Sequence, residues 1–413
     1  MFATVRAYVA LFLLNFLYFL EGITLAIVIF LFTVQSRDQH NTGQTFIGSC
    51  IALFHFANIV FCLILKPSSS PRNMCVFGGL VAGASVMAIA FADLLTNLYL
   101  FEAVTNVCYL IFGSGSILYW SYGMCSIAII KPNSLQWLIP TSVFVWFFGI
   151  STGTSIGTYL YICFGYTVTI CSFGLLKCIS SLLLWIAFPR NSDKIEENRD
   201  NISPKQPYAF LCNSTVAVVI ISQLLSSIFG GFVDATITFY FERHFNLELK
   251  NMAIYITLTS ITTLVGGVIA IAVNSANFSH QLYLFKSFLC IISSILMILF
   301  KNSSTMNLVA FQIGYMMLGL IKSLEGSTIM LVLKSLFLDI YGEECSDFVV
   351  LKSSTVSMLT FGIGRFIGQM LLGGILTDYL GFYLVCCGVC LCTFIIFLVL
   401  FLKYPFKACN VDC

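Results

Sequence analysis

Residues 361–381 read FGIGRFIGQMLLGGILTDYLG. The run is apolar enough to cross a bilayer, yet it holds Arg365 in its first half. Glycines recur at Gly364, Gly368, Gly373 and Gly374, and the run closes on Asp378 and Gly381, a polar turn where the chain leaves the membrane. Small residues four apart let two helices approach closely in lipid. An arginine at that depth needs a carboxylate, a carbonyl, an anion or a water-filled cavity beside it. One helix thus combines close packing with a charge that demands a partner.

The rest of the chain fits that reading. Of its 413 residues 59% are hydrophobic and 9% charged, whereas soluble domains carry roughly 25% charged residues. Mean hydropathy is +0.97. The class is an integral membrane protein, with the lipid bilayer as its solvent. A formal charge of +2 gives no basic surface for a nucleic-acid partner. No P-loop, GxSxG or HExxH pattern is present, so no enzyme, cofactor or metal is expected. Most of the 17 cysteines lie in apolar runs, where they act as small hydrophobes. Cys387 and Cys390 have CxxC spacing, but no second ligand pair accompanies them, and helix packing is the better reading.

A crossing helix takes roughly 20 apolar residues. That rule places spans at 7–33, 45–65, 74–92, 98–128, 135–162, 164–188, 209–240, 252–274, 282–300, 306–336, 349–376 and 382–402. The fold class is therefore an all-α membrane protein of twelve transmembrane helices. A polar segment rich in charges of both signs, NSDKIEENRDNISPKQP at 191–207, divides six spans from six. The expected domains are a six-helix bundle over 1–188, a cytosolic linker over 189–208, and a second bundle with a short tail over 209–413. Loop residues Arg72, Lys131, Arg190, Lys205, Lys403 and Lys407 fall on one side, against Arg37, Arg243, Lys250 and Lys301 on the other. The excess of positive charge marks the cytosolic side and puts both termini there. Asn302 opens an Asn-Ser-Ser sequon on the outer side and is the candidate glycosylation site; those at Asn201, Asn213 and Asn277 face the cytosol.

The two halves carry a repeat. Gly153 and Gly157 of the fifth span recur 211 residues later as Gly364 and Gly368, and Gly115-Ser116 recurs as Gly326-Ser327 at the same offset. With Gly149, the fifth span holds two consecutive small-xxx-small steps. The equivalent fifth and eleventh spans are each expected to let a neighbouring helix rock against them. Glu21 in the first span falls within two positions of matching Asp234 in the seventh.

Ionisable groups inside spans are the site candidates. They are Glu21, His55, Asp234, Lys322, Glu325 and Arg365. Lys322 and Glu325 lie three apart on one face of the tenth span, as an ion pair of their own or as part of a cavity wall. Burial raises a carboxyl pKa toward neutrality, which makes Glu21 a candidate for proton coupling, and His55 could shuttle protons. Lys177 in the sixth span is read as snorkelling or as marking a misplaced boundary, and Lys286 as lying at a span end. Tyr119, Trp120 and Tyr122 are an aromatic cluster read as core.

Twelve spans split six plus six by a charged linker, with glycine-rich fifth and eleventh spans, resemble the major facilitator superfamily. Gly374-Ile-Leu-Thr-Asp378-Tyr-Leu-Gly381 is similar to the family's G-x-x-x-D-x-x-G ending of the eleventh span. The loop after the second span, Lys66-Pro-Ser-Ser-Ser-Pro-Arg72, lacks the family's acid, and its copy at 274–280 has no charge. Residues 361–369 with Gly373-Gly374 also resemble the eleventh span of the lysosomal branch linked to ceroid lipofuscinosis. The resemblance implies two pseudo-symmetric bundles and a monomeric secondary transporter that moves a small molecule or ion by alternating access. It implies a central site lined by the first, fourth, seventh and tenth spans, in the plasma or endolysosomal membrane. An anion channel on the same scaffold and a non-transporting receptor or scaffold stand as alternatives.

Overall fold

In the computed structural model the described residues are 2–65, 70–131, 134–188, 209–247, 249–275, 278–298, 305–342, 346–372 and 379–403. They form twelve long helices, and no strand occurs among them. The first six are α1 (Phe2–His40), α2 (Gln44–Ile64), α3 (Pro71–Ala92), α4 (Leu98–Ile130), α5 (Leu135–Phe164) and α6 (Tyr166–Ala187). The second six are α7 (Ser214–Phe245), α8 (Leu249–Ser275), α9 (Ser279–Ile298), α10 (Thr305–Tyr341), α11 (Ser346–Phe366) and α12 (Tyr379–Lys403). The expected linker, Asn302, Gly373, Gly374 and Asp378 lie outside the described residues, and Gly381 falls in the first turn of α12.

Local chemistry sets several helix ends. Asn97 caps α4 by accepting from the Leu100 amide, and Asn213 caps α7 by accepting from the Thr215 and Val216 amides. Pro71 opens α3 at a position whose amide would have no helical partner. The nearly continuous fifth and sixth spans are separated by one residue, Gly165, at φ +78°. That backbone suits glycine and lets α5 hand over to α6 without a loop.

Eleven of the helices are long and apolar enough to cross a membrane. The one that falls short is α11, the helix that holds Arg365. It carries Ser353, Ser354, Thr355, Ser357, Thr360 and Arg365, all buried. It continues as one π-helical segment, Ile367–Leu372. A helix sheltered by protein on most of its surface has no need of an apolar exterior, and π-turns are common where a helix serves a site.

The packing repeats between halves. α1 lies on α5 and α6, α3 on α4 and α6, and α2 on α4. Likewise α7 lies on α11 and α12, α9 on α10 and α12, and α8 on α10. A Cβ at Gly149 would fall 2.1 Å from the Phe19 carbonyl oxygen, and one at Gly153 2.8 Å from Ile23 Cα. A Cβ at Gly364 would fall 2.5 Å from Ser227 Cβ, and one at Gly368 2.2 Å from the Ile228 carbonyl oxygen. Gly157 faces the Ile27 side chain. The glycine faces therefore bind α5 to α1 and α11 to α7, within each half. The expectation of a neighbouring helix lying directly against each glycine face thus falls, in both halves, on helices of the same half.

Between halves, α5 meets α8 and α10, and α11 meets α2 and α4. These contacts include ring pairs, such as Phe56–Phe366 at 5.9 Å, and glycines facing side chains of the other half, such as Gly267 against Phe144. Met330, Leu331 and Val350 of the second half join the same apolar cluster as Met124, Ile127 and Leu138 of the first. That layer closes one end of the interface between the halves.

Candidate functional site

Above the apolar layer lies a cavity of about 410 Å³, lined from both halves by α1, α2, α5, α7, α8, α10 and α11. It reaches toward the end where α1 finishes and α2 begins, past Thr33, Val34 and Leu247. A smaller pocket of about 70 Å³ lies deeper, beside Met124 and Met330. Trp146, Phe147, Lys322, Phe361 and Arg365 line both, so these five side chains form the partition between them.

Asp234 sits at the centre of the charged wall. Its Oδ1 accepts from Lys322 Nζ at 2.5 Å, and its Oδ2 accepts from Arg365 Nη1. Three helices supply this triad: α7, α10 and α11. Its geometry depends on two glycines one turn before the acid. A Cβ at Gly231 would come within 2.9 Å of the Arg365 carbonyl oxygen, and one at Gly230 within 3.3 Å of Arg365 Nη2 and Lys322 Cε. Arg365 also lies over the Phe361 ring, 5.0 Å from its centroid. The Asp234 side chain is 32% exposed, against 18% for Lys322 and 10% for Arg365, so the acid is the most open member.

His55 enters the same cavity from α2, across from Phe361 at 5.9 Å between rings. Gln369, on the π-helical segment, also lines it. Three buried atoms here, His55 Nδ1, Arg365 Nε and Gln369 Oε1, have no hydrogen-bond partner among the described residues.

Glu325 lines the deeper pocket and accepts from Lys286 Nζ of α9 at 2.8 Å. Lys286 also donates to Ser226 Oγ at 3.1 Å and lies 4.4 Å from the Tyr283 ring centroid. Lys322 and Glu325 thus do not pair with each other; each turns to another helix. Lys286 is not at a span end either, since it is 1% exposed and wholly paired inside the bundle.

Glu21 is placed elsewhere. It lies inside the first half, off both cavities, where Oε2 accepts from Lys177 Nζ and Oε1 from Ser116 Oγ. Lys177 is fully buried, 5.2 Å from the Phe112 ring centroid. The snorkelling reading fails because a buried acid one helix away holds the ammonium in the core. Tyr119 and Trp120 pack on Tyr18 at 4.9 and 4.8 Å, and Trp120 also reaches the deep pocket.

Lys177, Lys286, Gln369 and the Gly230–Gly231 pair were missed or misplaced from the sequence. The glycines, one turn before an intramembrane acid, were the available signal. Lys177 stood out as a charge in an apolar run, but the pairing of neither lysine had a signal, because their partners are 156 and 39 residues away. Among the described residues no group of His, Cys, Asp and Glu could hold a metal ion.

No family model and no curated protein matches the chain. Solved structures do. The MFS transporter FucP in the outward conformation matches with a TM-score of 0.68 at 14% identity, over 96% of this chain and 99% of that one. The human organic anion transporter MFSD10 (TETRAN) matches at 0.65 and 13% identity, over 95% and 99%. The nucleoside transporter NupG matches at 0.65 and 10% identity, over 96% and 100%. At such identities the likeness speaks for the fold, end to end: the chain has the twelve-helix fold of the major facilitator superfamily.

Proposed function

We propose that this protein is a secondary transporter that carries a small solute by alternating access between two six-helix halves, 1–188 and 209–413. The observation that carries the reading is the central cavity: both halves wall it, and an apolar layer of α4 and α5 against α10 and α11 closes its far end. A closed end favours a carrier over a channel, because a pore needs a continuous polar path. Close helix contact within each half, with a cavity between the halves, suits rigid-body rocking about a midplane site. With both termini cytosolic, the cavity faces outward in this state. The coupling role expected of Glu21 is not retained, because Glu21 is paired inside the first half and lines neither cavity.

Spin labels beside Thr33 on α1 and Leu247 after α7 test the motion, paired with labels beside Met124 on α4 and Met330 on α10. Alternating access shortens the first distance as the second lengthens. Distances that never change in opposite senses in lipid would sink the reading.

A further inference from the structure

The cavity wall is unbalanced in charge. Asp234 supplies one negative charge, and Lys322 and Arg365 supply two positive ones. Glu325 and Lys286 neutralise each other. His55 is in none of the ion pairs formed by the carboxylates of this wall, its Nδ1 has no hydrogen-bond partner among the described residues, and it is counted as neutral. One positive charge is therefore left over at a site walled mostly by apolar side chains, where an uncompensated charge is costly. The unpartnered atoms of His55, Arg365 and Gln369 cluster at the same wall, and buried polar groups without partners call for an explanation.

Resting on the transport reading above, we propose that the solute is an organic monoanion. Its anionic head, a carboxylate in size, docks between Arg365 and Lys322. Its apolar, ring-sized body lies against Trp146, Phe147 and Ile150 of the other half. Such a solute cancels the surplus charge and touches both halves at once. A neutral solute leaves the surplus in place, and a cation adds to it. A dianion brings its second charge against Asp234, the most open group of the triad. Asp234 thus has two roles: it holds the two cations in position, and it limits the solute to one negative charge.

The test uses the full-length protein in detergent and four probes of one shape: benzoate, terephthalate, benzamide and benzylammonium. Ligand-induced thermal stabilisation reads their affinities. Benzoate is expected to bind at least about tenfold more tightly than the other three. In Asp234→Asn the surplus grows by one charge, and the benzoate-to-terephthalate ratio shifts by about tenfold toward terephthalate. In Arg365→Gln the preference for benzoate over benzamide disappears, and Lys322→Gln does the same if the arginine variant does not fold. The proposal is overturned if benzoate at millimolar concentration gives no stabilisation, if benzamide matches it, or if Asp234→Asn leaves the ratio unchanged. Reciprocal label distances without benzoate binding would sink this inference and leave the transport reading standing.

Discussion

Glu21 on α1 and Asp234 on α7 occupy nearly corresponding places in the two halves, yet their surroundings differ. Glu21 meets one ammonium and one hydroxyl and is shut inside its bundle. Asp234 meets two cations, and its side chain opens on the central cavity. The first arrangement is balanced and closed, so nothing is left for a solute to complete. The second is unbalanced and open. The same ingredients, an acid and a base inside a membrane helix bundle, act as a packing device in one half and as a site in the other. Balance and access make the difference, not the presence of charge.

The largest effect should come from breaking the balanced pair. Lys177→Met leaves the Glu21 carboxylate alone in the core, and losing one partner of a buried pair costs about 3–5 kcal/mol. The double variant Glu21→Gln with Lys177→Met removes both charges and should recover most of that loss. Thermal unfolding of the purified protein measures both. A double variant no better than the single would mean that the pair does more than neutralise itself.

Next comes the unbalanced triad. Arg365→Lys keeps the charge but loses the planar fork that reaches Asp234 while lying on Phe361. Solute uptake into proteoliposomes should fall by about tenfold to a hundredfold, equivalent to about 1.5–3 kcal/mol for a charged hydrogen bond. Thermal stability should fall much less than in Lys177→Met. Equal losses of stability in the two variants would erase the distinction between the halves.

The glycine faces should behave alike. Gly149→Ala and Gly368→Ala both push a methyl group into backbone of the paired helix, and overpacking of that kind costs about 1–3 kcal/mol. Gly388→Ala, with nothing within 4 Å of the added carbon, is the control and should be silent. A large difference between Gly149→Ala and Gly368→Ala in unfolding would show that the two interfaces are not counterparts.

The smallest effect concerns the histidines at the matching ends of α1 and α7. His40 lies 3.3 Å from an Asp93 carboxylate oxygen and stacks on Phe101. His244 packs on Tyr240 and Phe245, and burial holds its pKa below the ordinary 6.5. The unfolded chain takes up that proton first, so the stabilising contribution of neutral His244 is complete above pH 6.5 and declines as pH falls below it. Melting temperatures at pH 7.5 and 5.5 should show a small drop that His244→Phe removes. A drop of the same size in that variant would assign the pH sensitivity elsewhere.

The sequence by itself determined the class, the number of helices and the close-packed glycine faces. Those properties are local: span length follows from bilayer thickness, and a glycine every fourth residue marks one helical face. The candidate charges were also legible, because an ionisable residue in an apolar run stands out. Their pairing was not. Lys322 and Glu325 share a helical face yet turn to separate helices, and Arg365 reaches an acid 131 residues away. Which helices are neighbours, and how each is rotated about its axis, decides whether an acid meets one base or two. Only the tertiary structure sets those rotations, and so only it separates the closed pair at Glu21 from the open triad at Asp234.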